Sequence, residues 1–222
     1  MHTKRLEALR HLQKANSIDC VVLMPGANLR YFTGLTTHLS ERPAMALVPA
    51  QGAIAVLLPE LEVPGARAQL PEDTRLFAYF DEEGHEHVFH QVAEALGLDG
   101  KRIGVEYLAM RLLEFRRLQQ AAPGCQWMAT EPWMPALRMR KDDTEIASMR
   151  CAIEIAEKAM LRLLDEGAIR PGRTELEVAA ELRIALLREG GQGEAFSPIV
   201  VAGPNSASPH AGPSDRPMAK GD

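Results

Sequence analysis

A train of short apolar runs alternates with stretches of helical period as far as Ala129, then stops at the proline-bounded segment Glu131-Pro132-Trp133-Met134-Pro135. Nothing else in the chain restricts the fold as much, because strands alternating with helices bury their apolar faces as a sheet covered by helices. Leu6, Leu9 and Leu12 mark a helix over residues 3–16. Ile18 to Met24 reads as a buried strand stopped by Pro25-Gly26, and Asn28 to Gly34 as one helical turn closed by glycine. Ala44–Val48 and Ala53–Leu58, on either side of Pro49-Ala50-Gln51-Gly52, suit a hairpin. Leu61–Leu70 reads as a helix interrupted at Pro64. Arg75–Phe80, Lys101–Glu106 and Cys125–Ala129 then read as strands, with helices over His87–Leu96 and Met110–Gln120 between them. The expected domain is residues 1–132, of α/β class.

After the break, residues 133–222 change character. Asp142-Asp143-Thr144-Glu145 and Thr174-Glu175-Leu176-Glu177 are capping boxes, each opening a long amphipathic helix that ends at Gly167 and at Gly190-Gly191. Arg170-Pro171-Gly172 supplies a turn suited to an antiparallel pair. Ile199 to Ala202 is a β-branched run ending at Gly203-Pro204-Asn205, which reads as a strand entering a loop. That loop delivers His210 from between Pro209 and Pro213, on backbone stiffened by fixed proline φ angles. A stiff loop is what a positioned catalytic side chain needs, and His210 is the candidate site residue. The competing reading is a polar loop that carries a histidine with no role.

Composition narrows the function classes. A formal charge of −5, from 25 basic and 30 acidic residues, gives no electrostatic reason to bind nucleic acid or an anionic membrane. No apolar run approaches the roughly 20 residues needed to span a bilayer, and the amino terminus has no apolar core after its charges, so a cytoplasmic location is expected. Cys20, Cys125 and Cys151 are odd in number and far apart, which argues for free thiols over a disulfide framework or a zinc site. The segment Asp81-Glu82-Glu83-Gly84-His85-Glu86-His87-Val88-Phe89-His90 has metal-ligand chemistry, but acidic residues at a helix N-terminus explain it more simply. Gly190-Gly191-Gln192-Gly193 lacks the lysine of a phosphate loop and follows a helix, and no Gly-x-Ser-x-Gly elbow occurs.

Several short motifs fall in an order that resembles a known family. They are Asn28-x-Arg30-Tyr31-x-Thr33-Gly34, Arg138-Met139-Arg140-Lys141-Asp142-Asp143-x-Glu145-Ile146, Pro171-Gly172-x-Thr174-Glu175, Phe196-x-x-Ile199-Val200, Gly203-x-Asn205-Ser206-Ala207-x-Pro209-His210 and Gly221-Asp222. Their succession resembles the Xaa-Pro peptidases of the pita-bread metallopeptidase family, which includes prolidases, aminopeptidase P and creatinase. The resemblance implies a creatinase-type N-terminal α/β domain, a mixed sheet flanked by helices, followed by the first part of an α+β pita-bread domain. It implies metal-dependent hydrolysis of the bond before proline in dipeptides or short peptides, two divalent ions (manganese, cobalt or zinc) and a homodimer. His210 resembles the family histidine that lines the cleft and hydrogen-bonds substrate or the tetrahedral intermediate.

The resemblance also carries a departure. The family's five metal ligands fall after the Gly-Asp matched by Gly221-Asp222, so none of the residues 1–222 is expected to ligate metal. The chain reads as a shortened form of a longer protein and is expected to be inactive alone, with the apolar stripes of residues 142–190 exposed or buried in a dimer. Two other readings share the scaffold: a metal-free amidinohydrolase of the creatinase type, and a non-catalytic binding protein.

Overall fold

In a computed structural model that describes residues 2–222, the chain divides into two compact units, Met1–Arg140 and Lys141–Asp222. The first holds strands β1 (Cys20–Leu23), β2 (Met45–Pro49), β3 (Ala55–Pro59), β4 (Arg75–Tyr79), β5 (Arg102–Val105) and β6 (Gln126–Ala129). They form one mixed sheet in the order β4-β3-β2-β1-β5-β6. The expected hairpin is present: β2 and β3 pair antiparallel, as do β1 and β2. The pairs β3/β4, β1/β5 and β5/β6 are parallel, so the chain crosses from one edge of the sheet back to its centre before adding β5.

Both faces of the sheet are covered, which is why β1 reads as an unbroken apolar run rather than an alternating one. Val21 and Leu23 point to a core completed by helices α1 (His2–Ala15) and α2 (Ala27–Thr33) through Leu6, Leu9, Leu29 and Phe32. Cys20, Val22 and Met24 point the other way, against α4 (Glu86–Leu96) and α5 (Leu112–Ala121), where Val88, Phe89, Val92 and Leu118 are buried. Gly34 and Gly97 end α2 and α4 in the left-handed region, as their positions in the sequence suggest.

Two details of this unit differ from expectation. Pro64 does not interrupt a helix; it sits in the first turn of α3 (Val63–Arg67), after a 3-10 turn over Glu60–Glu62. The first turn is where a missing N–H is tolerated and a fixed φ is favourable. The segment 133–140, placed beyond the break by composition, packs with the first unit. Met134 is buried in the α1/α2 core, the Tyr31 hydroxyl donates to the Leu137 carbonyl at 2.9 Å, and residues 136–139 form a short helix α6 (Ala136–Met139).

The second unit is built on α7 (Asp143–Asp165) and α8 (Glu175–Arg188). Both expected capping boxes are present, Asp142 with Glu145 and Thr174 with Glu177. Such a cap contributes about 1 kcal/mol to its helix. The shared core is small: Ala159, Leu163, Ala168, Val178 and Ala185. Ile146, Met149, Ile153, Met160 and Leu164 of the α7 stripe stay exposed, as does Leu187 of α8.

Residues 199–202 are not a strand. Among the described residues they find no strand to pair with, and the chain passes directly into a 3-10 turn over Gly203–Ala207. A β-branched run becomes a strand only where a neighbour takes up its backbone hydrogen bonds. Residues 214–218 instead run beside the start of α8, where Thr174 bridges Pro217 and the Gly172 and Leu176 amides donate to Met218 and Ser214.

Candidate functional site

Helix α8 begins with a glutamate that belongs to its buried side. Glu175 precedes Val178, Ala179, Leu182 and Leu186 at helical spacing, and it is fully buried. A carboxylate in that position must be hydrogen-bonded or it destabilises the fold. Here it is satisfied by one segment of chain. Its Oε1 accepts from the Ala202 amide at 2.7 Å and from Asn205 Nδ2 at 3.1 Å. Its Oε2 accepts from the Ser214 hydroxyl at 2.7 Å, the Ser214 amide at 3.0 Å and Asn205 Nδ2 at 3.0 Å. Chiefly the Ser214 hydroxyl, and then these other donors, pull the carboxyl down from the ordinary 4.5 to about 2 against the opposing effect of burial.

These donors flank His210 on both sides. Ala202 and Asn205 lie before it and Ser214 after it, so a single carboxylate closes the loop 202–214 at its base. His210 stands exposed at the tip of that loop, in a turn between Ser208 and Ala211. Positioned this way, an imidazole can donate a hydrogen bond to an oxygen brought against the loop.

A second pair braces the same base. Arg216 grips Asp222 through two bonds of 2.7 and 3.1 Å, and the Ala219 amide adds a third at 2.8 Å. Arg216, followed by that amide, holds the Asp222 carboxyl below its usual range. Gly203 passes close over this pair with φ +51°, and a Cβ there would lie 2.5 Å from Arg216 Nη2 and 2.6 Å from Asp222 Oδ1. Only glycine fits. Beneath the loop base is a cavity of about 550 Å³, apolar on the helix side (Met160, Leu163, Val178, Leu182) with Asp222 at its rim. His210 does not line it.

The histidine-rich segment makes no site of its own. His85 packs edge-on against Tyr79 and Phe89, His87 lies 3.9 Å from Glu83, and His90 is exposed. Glu86 occupies the first turn of α4, in keeping with the helix-terminus reading. Among the described residues, no three His, Cys, Asp or Glu side chains come together in a way that would hold a metal ion. Among the described residues, no helix is long and apolar enough to cross a membrane.

Residues 5–140 match the Creatinase/Prolidase N-terminal domain, and the chain belongs to that family. Residues 147–222 match Metallopeptidase family M24, which implies divalent metal cofactors. The chain is 32% identical to the "Probable dipeptidase PepE" of Mycobacterium tuberculosis over 91% of its own length and 52% of the relative's. It is 30% identical to the "Xaa-Pro dipeptidase" of Pyrococcus furiosus over 99% of its length and 58% of that protein. A solved dipeptidase from Pyrococcus horikoshii OT3 superposes with a TM-score of 0.83 at 31% identity, over 98% of this chain and 58% of that one. The chain thus spans little more than half the length of the curated relatives it matches. The metal that the M24 match implies does not fit the described residues, which offer no donor set for it.

Sequence reasoning named His210 as the candidate and took Glu175 only as part of a capping motif. The signal was available: a carboxylate on the apolar stripe of an amphipathic helix calls for buried partners.

Proposed function

We propose that the protein carrying this chain is a metal-dependent Xaa-Pro dipeptidase, hydrolysing the peptide bond that precedes proline in short peptides. The observation that carries this reading is the ordered set of motifs from Asn28 to Asp222, which runs through both matched domains and includes the loop of His210. Two divalent ions, manganese, cobalt or zinc, would supply the Lewis acid, held by donors outside the described residues. The part of the reaction assigned to these residues belongs to His210, which donates a hydrogen bond to the carbonyl oxygen of the substrate as it becomes an oxyanion. The first unit serves as the domain that narrows access to the cleft and forms a homodimer, and the enzyme works in the cytoplasm. Residues 1–222 alone are expected to have no peptidase activity with any added metal.

The test is His210→Ala in the full-length protein. Loss of one oxyanion donor lowers kcat by about 10²–10³ while leaving metal content unchanged. Unchanged turnover of a dipeptide ending in proline refutes the role.

A further inference from the structure

The base of the His210 loop points to a residue that acts on the reaction without touching the substrate. Glu175 takes hydrogen bonds from Ala202, Asn205 and Ser214, on both sides of His210, and has no exposed surface of its own. The loop gains little from secondary structure, since residues 199–202 form no strand and residues 208–216 are turns and irregular chain. Two prolines stiffen its backbone, but neither fixes where the loop sits relative to α8. The carboxylate does that. It holds both ends of the loop to the first turn of α8, a helix closed at its N-terminus by a capping box.

We propose that Glu175 is a positioning residue for His210, fixing the imidazole where the scissile carbonyl develops charge. This rests on the reading of His210 given above. Glu175→Gln keeps the size of the side chain but presents an amide to donors that need an acceptor. With five donor contacts sharing two carboxylate oxygens, the amide cannot satisfy all of them. The loop base then loosens while the helix remains capped by Thr174 and Glu177.

The experiment uses the full-length metalloenzyme and compares Glu175→Gln, His210→Ala and the double variant, with metal content measured in each. A displacement of about 1 Å lowers rate by as much as 10²-fold. Glu175→Gln is therefore expected to lower kcat roughly tenfold to a hundredfold, with KM changing less, and to have no further effect once His210 is alanine. Hydrogen exchange should rise at residues 202–214 and stay unchanged in the middle of α8. Ser214→Ala, which removes only the hydroxyl donor, should give a smaller loss of the same kind and covers the case in which Glu175→Gln does not fold. If His210→Ala is impaired while Glu175→Gln keeps full kcat, or if the two losses multiply in the double variant, the positioning role of Glu175 is overturned and the reading of His210 stands. If His210→Ala is fully active, the reading of His210 falls and takes the catalytic part of this proposal with it, whatever the exchange pattern.

Discussion

Gly104 and Gly65 should respond in opposite directions to the same substitution. Gly104 lies in the middle of β5, and a Cβ built there would stand 3.0 Å from Thr130 Cγ2, 3.1 Å from Val21 Cγ2 and 3.3 Å from Ile18 Cγ2. All three neighbours are buried and β-branched, so their rotamers are stiff, and Thr130 is further tied by its hydroxyl to the Val105 carbonyl at 3.2 Å. Overpacking of this kind costs about 1–3 kcal/mol. The loss of unfolded-chain freedom on adding a methyl group offsets about 0.4–1 kcal/mol of it. The net expectation for Gly104→Ala is destabilisation by about 1–2 kcal/mol, or a fall in Tm of about 2–8 °C for a unit of this size. Gly65 sits in α3 with open space around its Cβ position and an ordinary helical φ, so Gly65→Ala should stabilise by about 0.5–1 kcal/mol. The assay is thermal unfolding followed by tryptophan fluorescence. Both tryptophans, Trp127 and Trp133, lie in the first unit, and Trp127 is on the strand paired with β5. A Tm for Gly104→Ala at or above that of the wild type would refute the packing argument.

Two other perturbations test buried carboxylates. Glu106, at the end of β5, accepts from the Met24 amide and from Asn28 Nδ2, each at 2.7 Å, so Glu106→Ala strands two donors and should destabilise the first unit by about 1–3 kcal/mol in urea unfolding; a change under a few tenths would contradict this. Burial raises the Glu106 carboxyl above its ordinary range, so its own contribution to stability is full below pH 4.5 and declines as pH rises through the raised value. Glu175 has the opposite sign. Its folded value near 2 lies below the ordinary 4.5, so the stability it gives the loop, with Arg216 as the nearby cation, is complete above pH 4.5 and is lost as pH falls towards 2. Hydrogen exchange of residues 202–214, corrected for the intrinsic pH dependence, should be flat from neutral pH down to about 4.5 and then rise; a rise beginning near neutrality would count against it.

Most of the elements were legible because their signals are local. The hairpin needed only two apolar runs and the turn between them, and both long helices announced themselves by Asp142/Glu145 and Thr174/Glu177. What was not legible depends on partners distant in sequence. Gln13 shares the buried face of α1 with Leu6 and Leu9, but the Val48 carbonyl that takes its amide at 2.9 Å is 35 residues away and gives no local signal. Residues 199–202 carry strand propensity with no neighbouring strand, and propensity yields to pairing. His210 was proposed from its loop chemistry and a family resemblance. Glu175 was passed over, although its place on the α8 stripe with Val178 and Leu182 was visible in the helical period.

The order of strands in the sheet also governs how the molecule comes to be made. β1 leaves the ribosome before its parallel partner β5, and the pairing of Cys20 with Ile103, Val21 with Gly104 and Val22 with Val105 must wait until β2, β3, β4 and helices α2, α3 and α4 have been synthesised. Until then one side of β1 offers unpaired N–H and C=O groups to any other extended chain. Closing so wide a loop is slow, and a nascent chain in this state is a natural client for chaperones. Translation speed between Leu23 and Arg102 should therefore affect the yield of soluble protein.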